Sequence, residues 1–407
     1  MRALIFSLLL ATVQCQPSSL STPVSSLSSK LMLSMDKTTS AVENVIISPV
    51  SIFLALSLLY HGSDRSTKAE LENFLEIRSR IGSAVATKAL LSDYDRSRKT
   101  LNTTIKLANG IFADHSLSIK TPFLDDLRYL SSGVRRVDFS DRTPAARAVN
   151  SWVGKETNNL ITNLISPDDI SEDTRMVLLN AVYFKANWKS QFYKDRTRKS
   201  VRFDVTRGYS VLVDMMVKSD DILYRSSSTL RSHVVSLPYE DDNFQMMIFL
   251  PHQQDQESLL SIIQQFPNTD FNSVYNSLRV RPVDLSLPKF TVDFKSELVS
   301  ALRRNGVKSM FNPDQADFSL ISEHPLRVSN ILHQTKVEVN EEGSEAAAVT
   351  GVFLDLRTFV EEEERAIVVN VNRPFIFVIH DRKHNIPLFI GKVVNPSSVT
   401  SNDIIKY

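Results

Sequence analysis

The sequence predicts an α+β fold in one large domain. Helical patterns fill the chain as far as Leu164, whereas strand patterns dominate from Met176 onward. We find no internal repeat and no linker long enough to separate two domains. Helices and strands segregated in this way are typical of α+β proteins rather than of alternating α/β folds. At 407 residues the chain is long enough to bury a large hydrophobic core.

The predicted helices follow from apolar residues spaced along one helical face. The second helix is apolar almost all round, and such a helix is usually buried. Pro144 stands at the start of the long amphipathic helix, where proline is favoured, and Asn305-Gly306 forms a C-cap at the end of the last one. The predicted helices are Leu27–Met35, Ser48–Tyr60, Ser66–Leu75, Ile81–Leu91, Pro122–Leu130, Ala145–Leu164 and Lys295–Arg304.

The predicted strands are runs of apolar and β-branched residues. One of them lies among the helices, and the others make the second half of the chain strongly β. The predicted strands are Thr104–Phe112, Met176–Phe184, Val211–Met216, Val234–Leu237, Phe244–Leu250, Arg281–Phe294, Leu332–Val339, Ala366–Val371, Phe375–His380 and Leu388–Val393.

Residues 1–15 have the pattern of a signal peptide. Arg2 precedes an apolar run, Ala3–Leu10, which is too short to span a bilayer and is followed by small or polar residues. Cleavage after Cys15 would remove the chain's only cysteine, and a secreted protein without disulfides depends on its core. The alternative is a buried N-terminal helix. Residues 16–26, rich in serine and proline, predict a flexible lead-in.

The net charge of the chain excludes some classes of partner. The formal net charge of +1 gives no general attraction to nucleic acid or to an acidic membrane, so neither is predicted as a partner. Asn102-Thr103-Thr104 is a glycosylation sequon in a polar stretch, and glycosylation of Asn102 is a hypothesis because many sequons stay unused.

Enzymatic chemistry is not predicted. The chain has no H-E-x-x-H, G-x-S-x-G, Walker or Rossmann motif, and its eight histidines are scattered without metal-ligand spacing. The pairs Asp220-Asp221 and Asp241-Asp242 are interpreted as solvated carboxylates in turns. His233 and His333 lie in strand patterns and are interpreted as structural histidines. We therefore predict no catalytic residue, no metal and no required cofactor.

An unusual segment lies at Val337–Thr358. Uncharged residues occupy every second position from Ser344 to Leu356, whereas Glu345, Asp355 and Arg357 fall in the other register. Alternate side chains of a strand lie on opposite faces, so the segment is patterned as a strand with one buriable face. Its glycines and alanines nevertheless favour strand structure only weakly.

Four blocks, in order, resemble the serpin family over nearly the whole mature chain. Ser48-Pro-Val-Ser51 is similar to the start of the family's buried core helix. Asn180-Ala-Val-Tyr-Phe-Lys-Ala-Asn-Trp188 resembles its central strand with a buried tryptophan. Glu341-Glu-Gly-Ser-Glu-Ala-Ala-Ala348 resembles the hinge of inhibitory members. Val371-Asn-Arg-Pro-Phe-Ile-Phe377, together with Phe389-Ile-Gly-Lys-Val-Val-Asn-Pro396, is similar to its C-terminal strands.

This resemblance implies about nine helices around three β-sheets, with the domain at 27–396, an exposed reactive-centre loop at about 343–364 and a tail at 397–407. It also implies a monomer that acts as bait. A serine protease cuts the loop and forms an acyl-enzyme, and the cut loop then inserts into the central sheet and distorts the protease within a 1:1 covalent complex. The uncharged register fits insertion, because burying a charge there would cost several kcal/mol. An ordinary exposed loop would carry charges in both registers.

The resemblance also assigns the bond that is cut. Gly343 stands where the family's hinge glycine stands, and this implies the reactive bond Arg357–Thr358. An arginine before the cut suits an extracellular trypsin-like protease, whose pocket carboxylate pairs bidentately with a guanidinium. Arg365 is the rival, but it would make the insertable segment too long. Elastase- or chymotrypsin-like targets would require cleavage at Val352, Phe353 or Leu356.

The supporting residues are also implied by resemblance, and plain core packing is compatible with all of them. The hinge comprises Gly343, Ser344, Glu345, Ala346, Ala347 and Ala348. A hydrogen-bonded cluster under the opening sheet, the shutter, maps onto Ser48, Ser51, Asn180 and His333. The point of loop entry, the breach, maps onto Trp188, Glu341 and Lys289, with Glu341 paired to Lys289.

Two charged groups have competing interpretations. Glu361, Glu362, Glu363 and Glu364 form either a solvated loop or an exosite for a basic rim on the protease. A basic cluster surrounds the short helix near residues 81–91, where some serpins bind heparin-like polyanions, but its members straddle the helix and a solvated face is the alternative. That cluster comprises Arg78, Arg80, Lys88, Arg96, Arg98 and Lys99.

The sequence thus predicts a secreted inhibitor that regulates an extracellular proteolytic cascade. The alternative, from a different class, is a non-inhibitory serpin acting as carrier, storage protein or chaperone. The hinge discriminates, because non-inhibitory members often carry bulky or charged residues there, whereas Ser344 and Ala346–Ala348 are small and uncharged.

Overall fold

The structure is a computed structural model that describes residues 20–36, 42–100, 103–344, 365–397 and 405–406. Its α-helices are α1 (Ser21–Asp36), α2 (Pro49–Gly62), α3 (Arg65–Leu75), α4 (Arg80–Thr100), α5 (Thr121–Tyr129), α6 (Arg142–Glu156), α7 (Gln256–Gln265), α8 (Phe271–Ser277) and α9 (Val299–Arg304).

Strands make up two hydrogen-bonded sheets. Their bounds are β1 (Val45–Ile47), β2 (Thr104–Asp114), β3 (Val134–Val137), β4 (Met176–Asn187), β5 (Arg198–Thr206), β6 (Tyr209–Ser227), β7 (Ser232–Pro238), β8 (Phe244–Pro251), β9 (Arg279–Pro288), β10 (Phe290–Glu297), β11 (Asn330–Val339), β12 (Gly343–Ser344), β13 (Ile367–Asn370), β14 (Phe375–Asp381), β15 (Ile386–Val393) and β16 (Ile405–Lys406).

The six-stranded sheet runs in the order β10-β11-β4-β2-β3, and β12 also pairs with β4. Its strand pairs are antiparallel except for two: β2 and β3 are parallel, and so are β4 and β11, which lie side by side in its middle. A strand placed between β4 and β11 in the opposite direction would therefore be antiparallel to both of them.

The ten-stranded sheet follows the path β1-β15-β14-β8-β7-β6-β9-β13, and β5 and β16 also pair with β6. The 19-residue strand β6 pairs with β5 near its start, with β9 along its middle and with β7 at its end. The resemblance implies three sheets, whereas the described strands form two, and β6 is continuous through the larger one. The predicted single α+β domain is confirmed.

The helix α2 is the centre of the core. Every one of its residues is buried, as its apolar sequence predicts, and it packs on β2, β4 and β15. Pro49 stands at its first position, where the missing N–H has no helical partner in any case. The core thus places the N-terminal end of α2 beneath the middle of the six-stranded sheet.

The predicted flexible lead-in at 16–26 is wrong for its last residues. The helix α1 begins at Ser21, and Val24, Ser25 and Ser26 are buried. Ser28 donates its hydroxyl proton to the Val24 carbonyl at 2.6 Å, and Ser26 donates to Glu76 at 2.6 Å. Serine composition suggested disorder, but these hydroxyls are satisfied inside the helix or by neighbouring elements.

The long helix predicted to end at Leu164 ends at Glu156 instead. Asn158 and Asn159 adopt left-handed conformations, with φ of 54° and 61°. Asparagine tolerates this conformation better than most residues, so the two asparagines stop the helix. The apolar residues beyond them are buried as irregular chain, Ile161 and Leu164 among them.

The single strand predicted over Arg281–Phe294 is two strands in different sheets. It divides between Pro288 and Phe290, with Lys289 at the junction. The second strand continues to Glu297 because it pairs with β11 as far as Leu332. The following helix therefore begins at Val299 and not at Lys295.

Several further elements were missed. The helices α7 and α8 begin after Asp255 and Asp270, whose carboxylates accept the N–H groups of Ser258 at 2.6 Å and Asn272 at 3.0 Å. These N-cap aspartates are the sequence signal that would have predicted both helices. Asp220-Asp221, expected in a turn, lies within β6. The missed strands are β1, β3, β5 and β16, whereas β12 lies within the strand pattern at Val337–Thr358.

Candidate functional site

The candidate site begins where the pairing of β4 with β11 stops. The two strands pair from Val177 and Asn330 as far as Tyr183 and Lys336. Beyond that point β4 pairs with β12 instead, antiparallel, with Gly343 opposite Asn187 and Ser344 opposite Ala186. The chain therefore leaves β11, reverses its direction and returns beside β4. We call Trp188, Tyr239 and residues 340–344 the hinge seat.

Gly343 is required by a close approach of two backbones. A Cβ atom at this position would lie 2.2 Å from the carbonyl oxygen of Ala186 and 2.6 Å from Cα of Asn187. Both contacts are with backbone, which cannot move aside as a flexible side chain can. Only glycine lets β12 lie this close to β4.

Ser344 is fully buried and faces the interior. Its hydroxyl shares a hydrogen bond of 2.9 Å with the hydroxyl of Tyr239, whose pKa is raised by burial so that the phenol stays neutral. The Tyr239 ring stacks on Trp188, with centroids 4.6 Å apart and an interplanar angle of 10°. Sequence reasoning missed Tyr239, because only the fold brings it to the hinge.

Trp188, predicted at the point of loop entry, is buried and bonds to the residues just before the hinge. Its indole N–H donates to the carbonyl of Asn340 at 2.9 Å, and its backbone N–H donates to the carbonyl of Glu342 at 2.8 Å. A similar backbone bond of 2.9 Å joins the N–H of Phe192 to the carbonyl of Glu341. The chain after β4 therefore holds the reversal after β11 in place.

The predicted pairing of Glu341 with Lys289 is present. The Lys289 Nζ lies 2.9 Å from the carboxylate, and the hydroxyl of Thr197 donates to that carboxylate at 2.7 Å. Burial alone would raise the pKa of Glu341, but these two hydrogen bonds, a backbone hydrogen bond and the charge of Lys289 together outweigh it, and the pKa lies below its usual value. Glu342 pairs with Lys194, a contact that the sequence analysis did not predict.

The second part of the site lies beneath the middle of the sheet. Asn109, Asn180 and His333 stand in one row across β2, β4 and β11, because Asn180 is opposite both of the others. Ser51 of α2 lies below them. We call these four residues, with Ser48, the shutter cluster. Asn109 was missed by the sequence analysis, although it completes the row.

Hydrogen bonds fix the tautomer of His333. Its Nε2 accepts the backbone N–H of Ser48 at 3.3 Å, so Nδ1 carries the proton and donates to Oδ1 of Asn180. The Asn180 amide then donates to Ser51 and Asn109, and Ser51 donates to Asn109 at 3.1 Å. Burial lowers the pKa of His333 to about 3, so the ring is neutral.

The predicted shutter residues therefore lie together, with one exception in detail. The hydroxyl of Ser48 is buried and has no hydrogen-bond partner among the described residues, although its backbone N–H is used. A buried polar atom without a partner is uncommon. If the strands above it rearranged, this hydroxyl could form a new hydrogen bond with a side chain of the shutter cluster.

Several predicted residues lie outside the described residues: Glu345, Ala346, Ala347, Ala348, Arg357, Thr358, Glu361, Glu362, Glu363, Glu364 and Asn102. The predictions for the reactive bond, the distal hinge, the exosite and the sequon therefore remain predictions. The same holds for the signal peptide at 1–15.

The basic cluster near α4 is largely engaged within the protein. Arg80 donates to the Ser63 carbonyl with its guanidinium over the Tyr60 ring, Lys88 lies 3.9 Å from the centroid of the Tyr129 ring, and Arg96 pairs with Asp93 at 3.2 Å. Arg78 is exposed, and the side chains of Arg98 and Lys99 lie outside the described residues. Polyanion binding here remains a prediction.

The fold brings together three side chains that could bind a metal ion, and the sequence did not predict this group. Asp114, His115 and Asp138 offer ligand atoms within 4.8 Å of one another. Asp114 accepts the N–H of Ser116 at 3.1 Å, and Asp138 accepts the N–H of Ser140 at 3.0 Å. Both carboxylates therefore already stabilise turns at the ends of neighbouring strands.

Comparisons with known proteins agree with this architecture. The family model "Serpin (serine protease inhibitor)" matches residues 24–396. Mouse neuroserpin is 32% identical over 370 residues, covering 88% of this chain and 88% of that protein. Rat glia-derived nexin is 33% identical over 366 residues, covering 87% and 88%. The chain belongs to the serpin family.

Solved structures show the same fold. Native protease nexin-1 with heparin superimposes with a TM-score of 0.84 at 29% identity, over 94% of this chain and 100% of that one. Human thyroxine-binding globulin superimposes with a TM-score of 0.85 at 26% identity, over 94% and 100%. Among the residues that the structure describes, no helix is both long and apolar enough to cross a membrane.

Proposed function

We propose that this protein is a secreted inhibitor that traps extracellular trypsin-like serine proteases in a 1:1 covalent complex, cut at Arg357–Thr358. The observation that carries the proposal is the position of β12. Gly343 and Ser344 already pair antiparallel with β4 where β4 and β11 part. They occupy the first two positions of a new strand between those neighbours.

The chemistry would belong to the protease. Its serine hydroxyl attacks the carbonyl carbon of Arg357, the peptide bond to Thr358 breaks, and the new amino group of Thr358 leaves with a proton. The product is an ester between the protease and Arg357. Hydrolysis of that ester by water would release an active protease, so inhibition requires insertion to be faster than hydrolysis.

Insertion would replace one interface with two. Direct pairing of β4 with β11 would be lost, and the new strand would make antiparallel ladders with both. Each additional backbone hydrogen bond contributes about 0.5–1.5 kcal/mol. Ser344 is fully buried, and the following positions of its register in the sequence, Ala346, Ala348 and Thr350, are uncharged. No charge would have to be buried on that face.

Target choice would follow from Arg357. A guanidinium pairs bidentately with a carboxylate at the base of a trypsin-like pocket, and such charge-assisted pairs are the stronger hydrogen bonds. An Arg357→Ala variant should lose inhibition of trypsin-like proteases while keeping its fold.

The decisive experiment is incubation with a panel of trypsin-like proteases. We expect an SDS-resistant complex and a released C-terminal peptide whose mass matches a chain that begins at Thr358. Cleavage at that bond without any complex would support the non-inhibitory alternative instead. A peptide beginning elsewhere would reject the assigned bond but not the mechanism.

A further inference from the structure

The reversal between β11 and β12 is built around the side chain of Asn340. Its Oδ1 accepts the backbone N–H of Glu342 at 3.0 Å and that of Gly343 at 3.2 Å. Its own backbone N–H donates to the carbonyl of Gly343 at 3.0 Å. One residue therefore closes the turn from both sides, and asparagine side chains are well suited to bonding backbone two residues further on.

The same residue is tied to its surroundings by its remaining polar groups. Its carbonyl accepts the indole N–H of Trp188 at 2.9 Å, and its Nδ2 donates to Glu338 at 3.2 Å. Every polar group of Asn340 is thus used. The turn borders a cleft of about 370 Å³ that charged side chains line, Lys194, Lys289 and Glu341 among them.

We infer that Asn340 is a positioning residue that sets the register in which the loop inserts; this rests on the proposed function. The register of β12 against β4 is fixed where the turn ends. Because side chains alternate between faces, a slip of one residue would exchange the two faces of the inserting strand. It would direct Glu345 inward in place of Ser344, and burying that carboxylate would oppose insertion.

Loss of the Asn340 side chain leaves two adjacent N–H groups without their acceptor. The turn then populates arrangements in which β12 is displaced from β4, and insertion competes less well with hydrolysis of the acyl-enzyme. Recognition of Arg357 by the protease does not involve the turn. The rate of association should therefore stay unchanged while the outcome after cleavage changes.

The test compares N340A with the parent against one trypsin-like protease. We expect the ratio of cleaved to trapped inhibitor to rise about tenfold, with the association rate constant within about twofold of the parent. N340D keeps an oxygen acceptor for the two N–H groups but turns its second oxygen toward Glu338, so it should recover only part of the trapping. The matched control is N312A, because Asn312 accepts the N–H of Asp314 at 2.9 Å in a similar turn elsewhere.

A second measurement separates this inference from the proposed function. The reactive-centre loop is cut by a protease in both the parent and N340A. We then measure how fast each cut chain becomes resistant to thermal unfolding. If the cut parent gains thermal resistance but traps no protease, the proposed function fails. A slower gain of resistance in N340A would still support the role of Asn340 in that case. A parent that gains none, or an N340A that matches the parent in both measurements, overturns the inference.

Discussion

The hinge seat and the shutter cluster lie along the same two strands but hold them in different ways. At the shutter cluster β4 and β11 pair directly, and side chains join them from below. At the hinge seat the direct pairing has ended and β12 lies beside β4. The sheet is therefore parted at one end and closed in its middle. Under the proposed mechanism, insertion would begin without breaking a β4–β11 ladder, but it would not continue without exchanging the partners of the shutter cluster.

The largest effect is expected from Ser344→Arg at the hinge seat. This side chain is fully buried against Tyr239, and an arginine there would bury a charge without a partner. The variant should fold and be cut as a substrate, with trapped protease reduced at least about a hundredfold. Gel detection of the covalent complex measures this. Glu345→Arg, in the other register of the sequence, is the control, and a stable complex from Ser344→Arg would contradict the mechanism.

A smaller effect, on stability, is expected from His333→Gln in the shutter cluster. The glutamine amide is smaller than the ring and can replace at most one of its two nitrogens, so either the buried N–H of Ser48 or the oxygen of Asn180 loses its partner, at a cost of about 2 kcal/mol in the free energy of unfolding. Urea denaturation measures it. His115→Gln, at an exposed histidine, is the control and should change little.

The pH dependence of the same variant sharpens the test. His333 has a folded pKa of about 3, below its ordinary 6.5, so between these values the unfolded chain binds more protons. The free energy of unfolding should fall as pH drops from 6.5 toward 3, by up to about 1.4 kcal/mol per pH unit from this residue. His380, whose pKa is lowered to about 4, affects parent and variant alike. Equal slopes for both proteins would rule out a neutral buried His333.

A third, more modest effect is expected from Lys289→Met beside the hinge seat. Glu341 would lose its cation while staying buried, which we expect to lower the free energy of unfolding by about 1–2 kcal/mol, since Lys289 is partly exposed. Because the pKa of Glu341 is lowered, this contribution exists above about pH 4.5 and disappears as pH falls below the folded value. Lys199→Met, which breaks a more exposed pair with Asp214, should leave the free energy of unfolding almost unchanged.

The smallest effect is expected in the loop itself. Replacing Glu361, Glu362, Glu363 and Glu364 by glutamine should slow association with a basic-rimmed protease by up to about tenfold at low salt, and should weaken its salt dependence. Trapping after cleavage should not change. Unchanged rates and salt dependence toward several trypsin-like proteases would show that the glutamates are only a solvated loop segment.

The sequence predicted most of the fold but only part of the site. Apolar periodicity located α2 and β4, whereas α7 and α8 were missed because their caps were not used. Local sequence also cannot show where the chain passes from one sheet to another, so the prediction treated β9 and β10 as one strand. In the shutter cluster, Asn109 and the row it forms depend on strand register, which the sequence leaves open. Tyr239 and Lys194 reach the hinge from other parts of the chain, so no local pattern marks them.

The pairing of β12 with β4 also fixes where later residues would arrive. In the proposed inserted state each residue further along the loop opposes one residue earlier in β4, starting from Ser344 opposite Ala186. Thr350 would then oppose Asn180 and stand between it and His333, on the face that Asn180 shares with Ala186. Its hydroxyl both donates and accepts, so it would meet the side chains that its arrival separates. The short antiparallel pairing of β12 with β4 would thus determine the position that a side chain several residues further along the loop reaches in the sheet.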